Sequence, residues 1–401
     1  QGWHAFTHIP TQLAPESPGY LAGAPVVVKD LMAVAGMPMS GGSAPSCAVV
    51  PAIDAEAVAR LKRHGAVVLG LANLHEFAYG ITSDNPHFGR VVNPRAPDRI
   101  AGGSSGGSAA AIAGGIVRIA LGTDTAGSIR IPAACCGVVG FKPSYDAVPR
   151  RGVLDLAPSL DHVGPLGLRV NDCALLFAAL LDLPEVPSWA VANLKGMRVT
   201  RLSGFFEDPL DADVHLAVQQ AAAALASDGA SVKAAAIAGI EKAGAIQFMT
   251  ICPEATEVHA KRLQSGWQHL GEDVRVRLEV GLFLPAYWYL KAQRMRRQLD
   301  TSIQDLFKDA DLLLCPTMRV PAPAVGAGSV EIAGRSYPLH TAVTQLTLPF
   351  NLAGLPAISV PWGVSRAGVP IGLQLVGPRG ADWQVLAAAH RLETMAPRLA
   401  T

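Results

Sequence analysis

Apolar residues in this chain follow two alternating rhythms. Short aliphatic and β-branched runs, bounded by glycine, proline or a charge, read as buried strands. They are "APVVVKD" ending at Asp30, "AVVLGLAN" from Ala66, "IVRIALGTD" from Ile116, and later "GMRVTRL", "ADLLLCPT", "AISVPWG" and "IGLQLVGP". Between them the spacing turns helical. "DAEAVARLKRHG" predicts a helix with Asp54 as N-cap and Gly65 as stop. "GSAAAIAG" predicts a helix of small residues, and "IPAACCG" a short one with Pro132 near its start. "NDCALLFAALLD", "DADVHLAVQQAAAALASDG", closed by Gly229, and "DWQVLAAAHRLE" complete the set. Strands alternating with helices predict an α/β layered fold with a mostly parallel sheet. No repeat, charge block or low-complexity linker divides the chain, so residues 1–401 are expected to form one domain. The proline- and glycine-rich "PTMRVPAPAVGAG" reads as a surface loop.

Composition narrows the classes of function. A net charge of +1 and the absence of a lysine- or arginine-rich run give no electrostatic reason to expect nucleic acid or an anionic membrane as partner. No apolar run reaches the length of a membrane span: the longest, Ser108 to Leu121, is broken by Arg118 and two glycines. Cys47, Cys135, Cys136, Cys173, Cys252 and Cys315 form no C-x-x-C pair, and read as reduced core residues of a cytoplasmic protein. The vicinal Cys135 and Cys136 read as two small residues of a buried helix. The chain starts at Gln1 with no methionine or signal-like stretch, and its natural N-terminus is expected to be missing.

Several motifs mimic known chemistry and fail on context. Gly103 to Gly107 satisfies G-x-S-x-G around Ser105, but a nucleophile elbow needs a strand leading into it. What precedes it is "NPRAPDRIAGG", with two prolines. The same glycines lack the G-K-[ST] of a P-loop and the leading strand of a dinucleotide fingerprint. His75-Glu76 opens like a zinc-protease motif, but Tyr79 occupies the second histidine position, so no metal site is predicted.

The serines carry more. Residues 101–132 contain Ser104, Ser105, Ser108 and Ser128 and no histidine, the usual base for a serine nucleophile. Glycine- and serine-rich stretches are often flexible linkers. Here apolar sequence follows both immediately, which predicts that each is held by the core. In "LGTDTAGSIRIP" a strand ends near Gly122, a tight turn follows, and Ser128 precedes a helix. Consecutive N–H groups in such a turn can converge on one point, as an oxyanion hole requires.

"GGSSGGSAAA" followed by "GTDTAGSIRIPAACCGVVGFKPS" strongly resembles the signature of the amidase signature family. "LAGAPVVVKDLMAVAG", "GAVVLGLANLHEFAYG", "NPHFGRVVNP", "SLDHVGPLGLRVND" and "PFNLAGLPAISVP" resemble further family segments in the family's order, over nearly the whole chain. The resemblance implies a single-domain α/β/α fold around a central twisted mixed sheet. It also implies hydrolysis of a carbon–nitrogen amide bond in a small-molecule substrate through an acyl-enzyme, without metal or cofactor. Ser128 would be the nucleophile, Ser104, after a cis peptide bond, the bridge, and Lys29 the base. Burial disfavours an ammonium, which is how a lysine becomes a base near neutral pH. On apolar setting alone Lys142 in "VVGFKPS" would serve as well as Lys29, and the resemblance selects Lys29. Thr125, Ala126, Gly127 and Ser128 would supply the oxyanion N–H groups. Ser105, Asp124 and Arg130 would support the site, the last two as a salt bridge or brace.

The family often has glycine where this chain has Ala126, which implies an ordinary backbone conformation there. Only 28 residues precede Lys29, so the family's N-terminal arm is expected to be truncated or absent. A homodimer is the expected assembly. Pocket walls are expected around residues 37–46, 76–90 and 250–345. Two rival readings remain: the glutaminase (A) subunit of an amidotransferase, and a non-catalytic binding or scaffold protein that retains the fold.

Overall fold

Val26, Val27 and Val28 are fully buried and alternate between two cores. Val26 and Val28 pack with one set of helices, and Val27 packs with the small residues on the other side. Period-two alternation with both faces apolar marks a central strand covered on both sides. The computed structural model, which describes residues 2–13, 17–265 and 267–397, extends that arrangement across one large sheet.

The strands are β1 (Phe6–His8), β2 (Pro25–Lys29), β3 (Val67–Ala72), β4 (Ile119–Asp124), β5 (Val139–Lys142), β6 (His162–Gly167), β7 (Arg198–Leu202), β8 (Ser231–Ala235), β9 (Leu312–Pro316), β10 (Ser329–Ile332), β11 (Arg335–Pro338), β12 (Ala357–Val364) and β13 (Pro370–Val376). Eleven form the main sheet in the order β1-β3-β2-β4-β6-β5-β12-β13-β9-β7-β8, and β10 and β11 form a separate hairpin. β2 runs parallel to β3 and β4, and β7 runs parallel to β8 and β9. The pairs from β4 through β6, β5, β12 and β13 to β9 are antiparallel. The sheet is therefore mixed, as the resemblance implied, and not mostly parallel as the strand–helix alternation predicted. The alternation misled because it passed over β5 and β6, which create the antiparallel centre. β6 carries Pro165 opposite Leu121 of β4, and a proline normally argues against a central strand.

Helices α1 (Glu56–Arg63), α4 (Val170–Leu180), α5 (Ala212–Ser227) and the closing helix Asp382–Met395 cover one face through Leu61, Phe177, Leu225 and Leu392. On the other face α2 (Gly106–Ala113) and α3 (Arg130–Cys136) pack through Ala109, Ala110 and Ala133 against Val27 and Ala120. Side chains this small let α2 approach the sheet closely. A β-carbon on Gly107 would lie 2.3 Å from the Asn73 carbonyl oxygen. Helices Ala243–Val258, Glu272–Leu282 and Ala286–Leu306 form a further layer around a second core. No helix among the described residues is long and apolar enough to cross a membrane.

Three local expectations change. Asp54 does not cap α1: its carboxylate accepts from the Ala35 N–H at 2.8 Å and pairs with Lys62, and Ala55 stands at the N-cap without a side-chain bond. "PTMRVPAPAVGAG" is irregular, but its first half is buried. Arg319 donates there to the carbonyls of Phe205 and Pro209, so its charged group is bonded inside the protein. Cys47 is exposed, while the other five cysteines are buried.

Candidate active site

β2, β3 and β4 are adjacent and parallel, so their carboxyl ends emerge at one edge. Open α/β sheets commonly place their ligands at such an edge. Lys29 ends β2 and is fully buried. Its Nζ lies 2.8 Å from Ser104 Oγ and 2.7 Å from Thr123 Oγ1. Burial lowers its pKa to about 7, while the carboxylates of Asp124 and Asp161 oppose the shift. A neutral amine with that pKa has a lone pair available to one of the two hydroxyls.

Ser104 lies in the loop before α2 and follows a cis Gly103–Ser104 peptide bond. Its carbonyl accepts from the His75 N–H at 3.1 Å, which ties this loop to the segment after β3. Ser105 is also buried, but its hydroxyl donates to the Thr123 carbonyl at 3.1 Å. Its N–H donates to the Ser128 carbonyl at 3.1 Å. Ser105 therefore joins the two serine loops and presents no free hydroxyl to a substrate.

Ser128 sits in the turn between β4 and α3, and its Oγ makes no hydrogen bond among the described residues. Asp124 holds that turn: its carboxylate accepts from the N–H of Gly127 at 2.7 Å and of Ile129 at 3.1 Å. It also pairs with Arg130 at 3.0 Å, with neither side chain exposed. Burial would push the Asp124 carboxyl up, but the charge and hydrogen bonds of Arg130, with Lys142 and Asn351, hold it well below the usual carboxylate range. Arg130 reaches onward to Asn351 Oδ1, the Thr347 carbonyl and Gln374 Oε1. Thr347 Oγ1 donates to the Ala126 carbonyl at 2.6 Å.

Four N–H groups were expected to face an oxyanion. That of Gly127 is committed to Asp124, whereas those of Thr125, Ala126 and Ser128 make no hydrogen bond among the described residues. Gly127 instead supplies conformation. Its φ is +130°, and a β-carbon there would lie 2.4 Å from Thr347 Oγ1. Ala126 is absent from the positive-φ residues, as the alanine implied.

Thr125, Ala126 and Ser128 open onto a mostly apolar cavity of about 250 Å³, whose other walls include Tyr79, Cys252 and Arg277. Arg277 donates to the Tyr79 carbonyl and pairs with Asp273 at 3.2 Å. The walls lie partly where expected, at 78–81 and between 251 and 340. Residues 37–46 do not reach the cavity, whereas Leu156, Gln247 and Phe248 do.

The structure thus gathers Lys29, Ser104, Ser105, Asp124, Thr125, Ala126, Gly127, Ser128 and Arg130 at one sheet edge. Sequence reasoning missed Thr123, the second partner of the lysine, and Asp161, Thr347 and Asn351, which hold the nucleophile turn. Asp161 and Asn351 stand inside "SLDHVGPLG" and "PFNLAGLPAISVP", legible in the sequence only as parts of family-like segments. Lys142, the competing lysine, donates to the carbonyls of Pro143 and Leu355, and neither of its partners is a hydroxyl.

The family model described as Amidase matches residues 5–386. AtzE, a 1-carboxybiuret hydrolase subunit of Pseudomonas sp. (strain ADP), is 39% identical over 378 residues, 90% of this chain and 81% of that protein. The glutamyl-tRNA(Gln) amidotransferase A subunit of Geotalea daltonii is 36% identical over 410 residues, 93% of this chain and 83% of that protein. Among solved structures, a crystal structure of an amidase superposes with a TM-score of 0.91 at 35% identity, covering 98% of this chain and 92% of that one.

Proposed function

The chain belongs to the amidase signature family, and from that premise we propose that it hydrolyses a small-molecule amide with Lys29, Ser104 and Ser128 as its catalytic residues. It is a hydrolase of carbon–nitrogen bonds in amides. The observation that carries it is the buried Lys29 amine, 2.8 Å from Ser104 Oγ.

Ser128 Oγ attacks the carbonyl carbon. Its proton passes to Ser104, whose own proton passes to the neutral Lys29 amine. The N–H groups of Thr125, Ala126 and Ser128 receive the carbonyl oxygen as it gains charge, in a site where few other polar groups compete. The relay then runs in reverse: Lys29 returns its proton through Ser104 to the departing nitrogen, the carbon–nitrogen bond breaks, and an acyl-Ser128 ester remains. Water, deprotonated by the same relay, cleaves the ester and releases a carboxylate. No metal or organic cofactor enters these steps, so chelators are expected to leave activity unchanged.

A serine-directed fluorophosphonate tests the assignment. It is expected to modify Ser128, and peptide mapping that places the label on Ser105 would return the elbow reading.

One amidase domain over residues 1–401, acting in the cytoplasm as a homodimer, belongs to the same reading. Its low-charge, apolar composition supports it, and light scattering that finds a monomer over a wide concentration range would remove the dimer. The similarity to an amidotransferase A subunit favours a second reading, the glutaminase subunit of an amidotransferase, which hands ammonia to another protein. Full amidase activity of the isolated chain decides for the first reading. Ammonia release that requires a co-purifying subunit decides for the second.

A further inference from the structure

Asp161 takes no part in those steps, yet it is buried beside them, and two of the three residues bonded to its carboxylate line the cavity. Oδ1 accepts from Thr125 Oγ1 at 2.6 Å, and Oδ2 accepts from the N–H groups of Leu156 at 2.8 Å and Ala157 at 3.0 Å. All three partners are donors, the set that an ionised carboxylate satisfies. The contact to Thr125 has the length of a charge-assisted O–H···O⁻ bond.

Thr125 is the first residue of the nucleophile turn, and both it and Leu156 line the cavity. Asp124 grips the downstream end of that turn through Gly127 and Ile129, and Thr347 holds its middle at the Ala126 carbonyl. The upstream end is where the unbonded N–H groups of Thr125 and Ala126 lie. Asn351 Nδ2 donates there to the Asp124 carbonyl at 2.9 Å, with His162 Nδ1 3.2 Å from the same oxygen, and Asp161 holds the Thr125 side chain. A β-branched residue has few χ1 choices, so fixing the Thr125 hydroxyl also fixes the backbone that carries it.

We propose that Asp161 and the Thr125 hydroxyl form a positioning pair that aims the Thr125 and Ala126 N–H groups at the carbonyl oxygen of the bound amide. The pair touches no reacting atom. It acts through the turn, and it rests on the reading of Ser128 as nucleophile and residues 125–128 as the oxyanion site. Because the oxygen gains its charge only on the way to the tetrahedral intermediate, misaimed donors cost rate more than substrate binding.

Three single variants and one double variant test this, assayed on an amide with melting temperature followed in parallel. Thr125→Val keeps shape and removes the hydroxyl, and kcat is expected to fall roughly 10- to 100-fold while KM stays within about threefold. Thr125→Ser, which keeps the hydroxyl, is expected to recover most of that loss. Asp161→Asn alters the same bond, so the double variant Thr125→Val/Asp161→Asn should lose less than the product of the two single losses. A mere brace would lower the melting temperature without this split between kcat and KM. A kcat for Thr125→Val within about twofold of the parent, a change in KM alone, or losses that multiply would each overturn the pair. If Asp161→Asn fails to fold, the Thr125→Val and Thr125→Ser comparison decides. Fluorophosphonate labelling of the parent separates the two levels: a label away from Ser128 removes the underlying reading. A label on Ser128 together with an unimpaired Thr125→Val removes only the pair.

Discussion

Lys29 and Lys142 end neighbouring regions of one sheet in nearly the same way. Each closes a strand, each is fully buried, and each follows apolar residues. Burial lowers both pKa values, that of Lys29 to about 7 and that of Lys142 well below its ordinary value, where the charge of Arg130 adds to the effect. What separates them is the partner. Lys29 meets two hydroxyls, Ser104 and Thr123, whereas Lys142 meets two carbonyl oxygens. A hydroxyl can both give and receive a proton, but a carbonyl oxygen here can only accept a hydrogen bond. Burial therefore makes either amine a base, and only the hydroxyl beside Lys29 makes one of them part of a relay.

The largest effect is expected from removing the first lysine. Lys29→Ala deletes both the base and the later proton donor, and kcat/KM for an amide should fall on the order of 10³-fold or more. Activated esters, whose leaving groups need no proton, should lose much less. If Lys29→Ala keeps full amide turnover in a folded protein while Lys142→Ala abolishes it, the two roles are reversed.

Asp124 is the anion that both lysines feel. Replacing it with alanine strands the Arg130 guanidinium in the interior and frees the Gly127 and Ile129 N–H groups. Breaking such a buried pair costs about 3–5 kcal/mol. Denaturant unfolding of Asp124→Ala should show a loss of that size, and a loss below about 1 kcal/mol would mean that water reaches the pair.

Acidity supplies the next smaller effect. Only neutral Lys29 accepts a proton, so kcat/KM should rise with pH, about tenfold per unit below the lysine pKa, and level off above about 7. Asp161, pushed up to about 7 by burial against its hydrogen bonds, titrates in the same range. In Asp161→Asn the limb reports Lys29 without that carboxylate. Losing a carboxylate that favours the ammonium lowers the lysine pKa further, so the midpoint should move to lower pH. A midpoint that moves to higher pH would mean that the Asp161 carboxylate does not favour the Lys29 ammonium.

The unequal partners of the two lysines also mark where sequence stops being legible. "VVVKD" and "VVGFKPS" show two apolar strand ends, and nothing in either string says which amine will face a serine far away in the chain. That depends on β2 and β4 lying side by side, with the loop before α2 bringing Ser104 to the end of β2. β5 and β6 escaped the pattern because glycine and Pro165 interrupt their apolar runs. The helix Ala286–Leu306 escaped because only Ala292, Leu299 and Ile303 are buried along it, too sparse a stripe to show a period. What could be read were the long aliphatic strands and the small-residue helices, where burial on both sides leaves the composition little freedom. Asp161 was visible as a letter and not as a partner, since its bonds to Thr125, Leu156 and Ala157 exist only once the turns are folded.

The smallest effect isolates Lys142. Its pKa is lowered in the folded chain, so between its folded value and the ordinary 10.5 the unfolded chain binds more protons. Stability linked to this group is then fully present above 10.5 and is lost as pH falls. Lys142→Met keeps the length of the side chain and removes the titration, so the variant's stability should rise less steeply with pH than the parent's. The difference is at most about 1.4 kcal/mol per pH unit. Its amide turnover should stay within a few-fold of the parent, because no hydroxyl of the relay contacts Lys142. Melting temperatures of both proteins from neutral to alkaline pH measure the slopes. Parallel curves would mean that Lys142 is not buried as a neutral amine, and the likeness between the two lysines would end there.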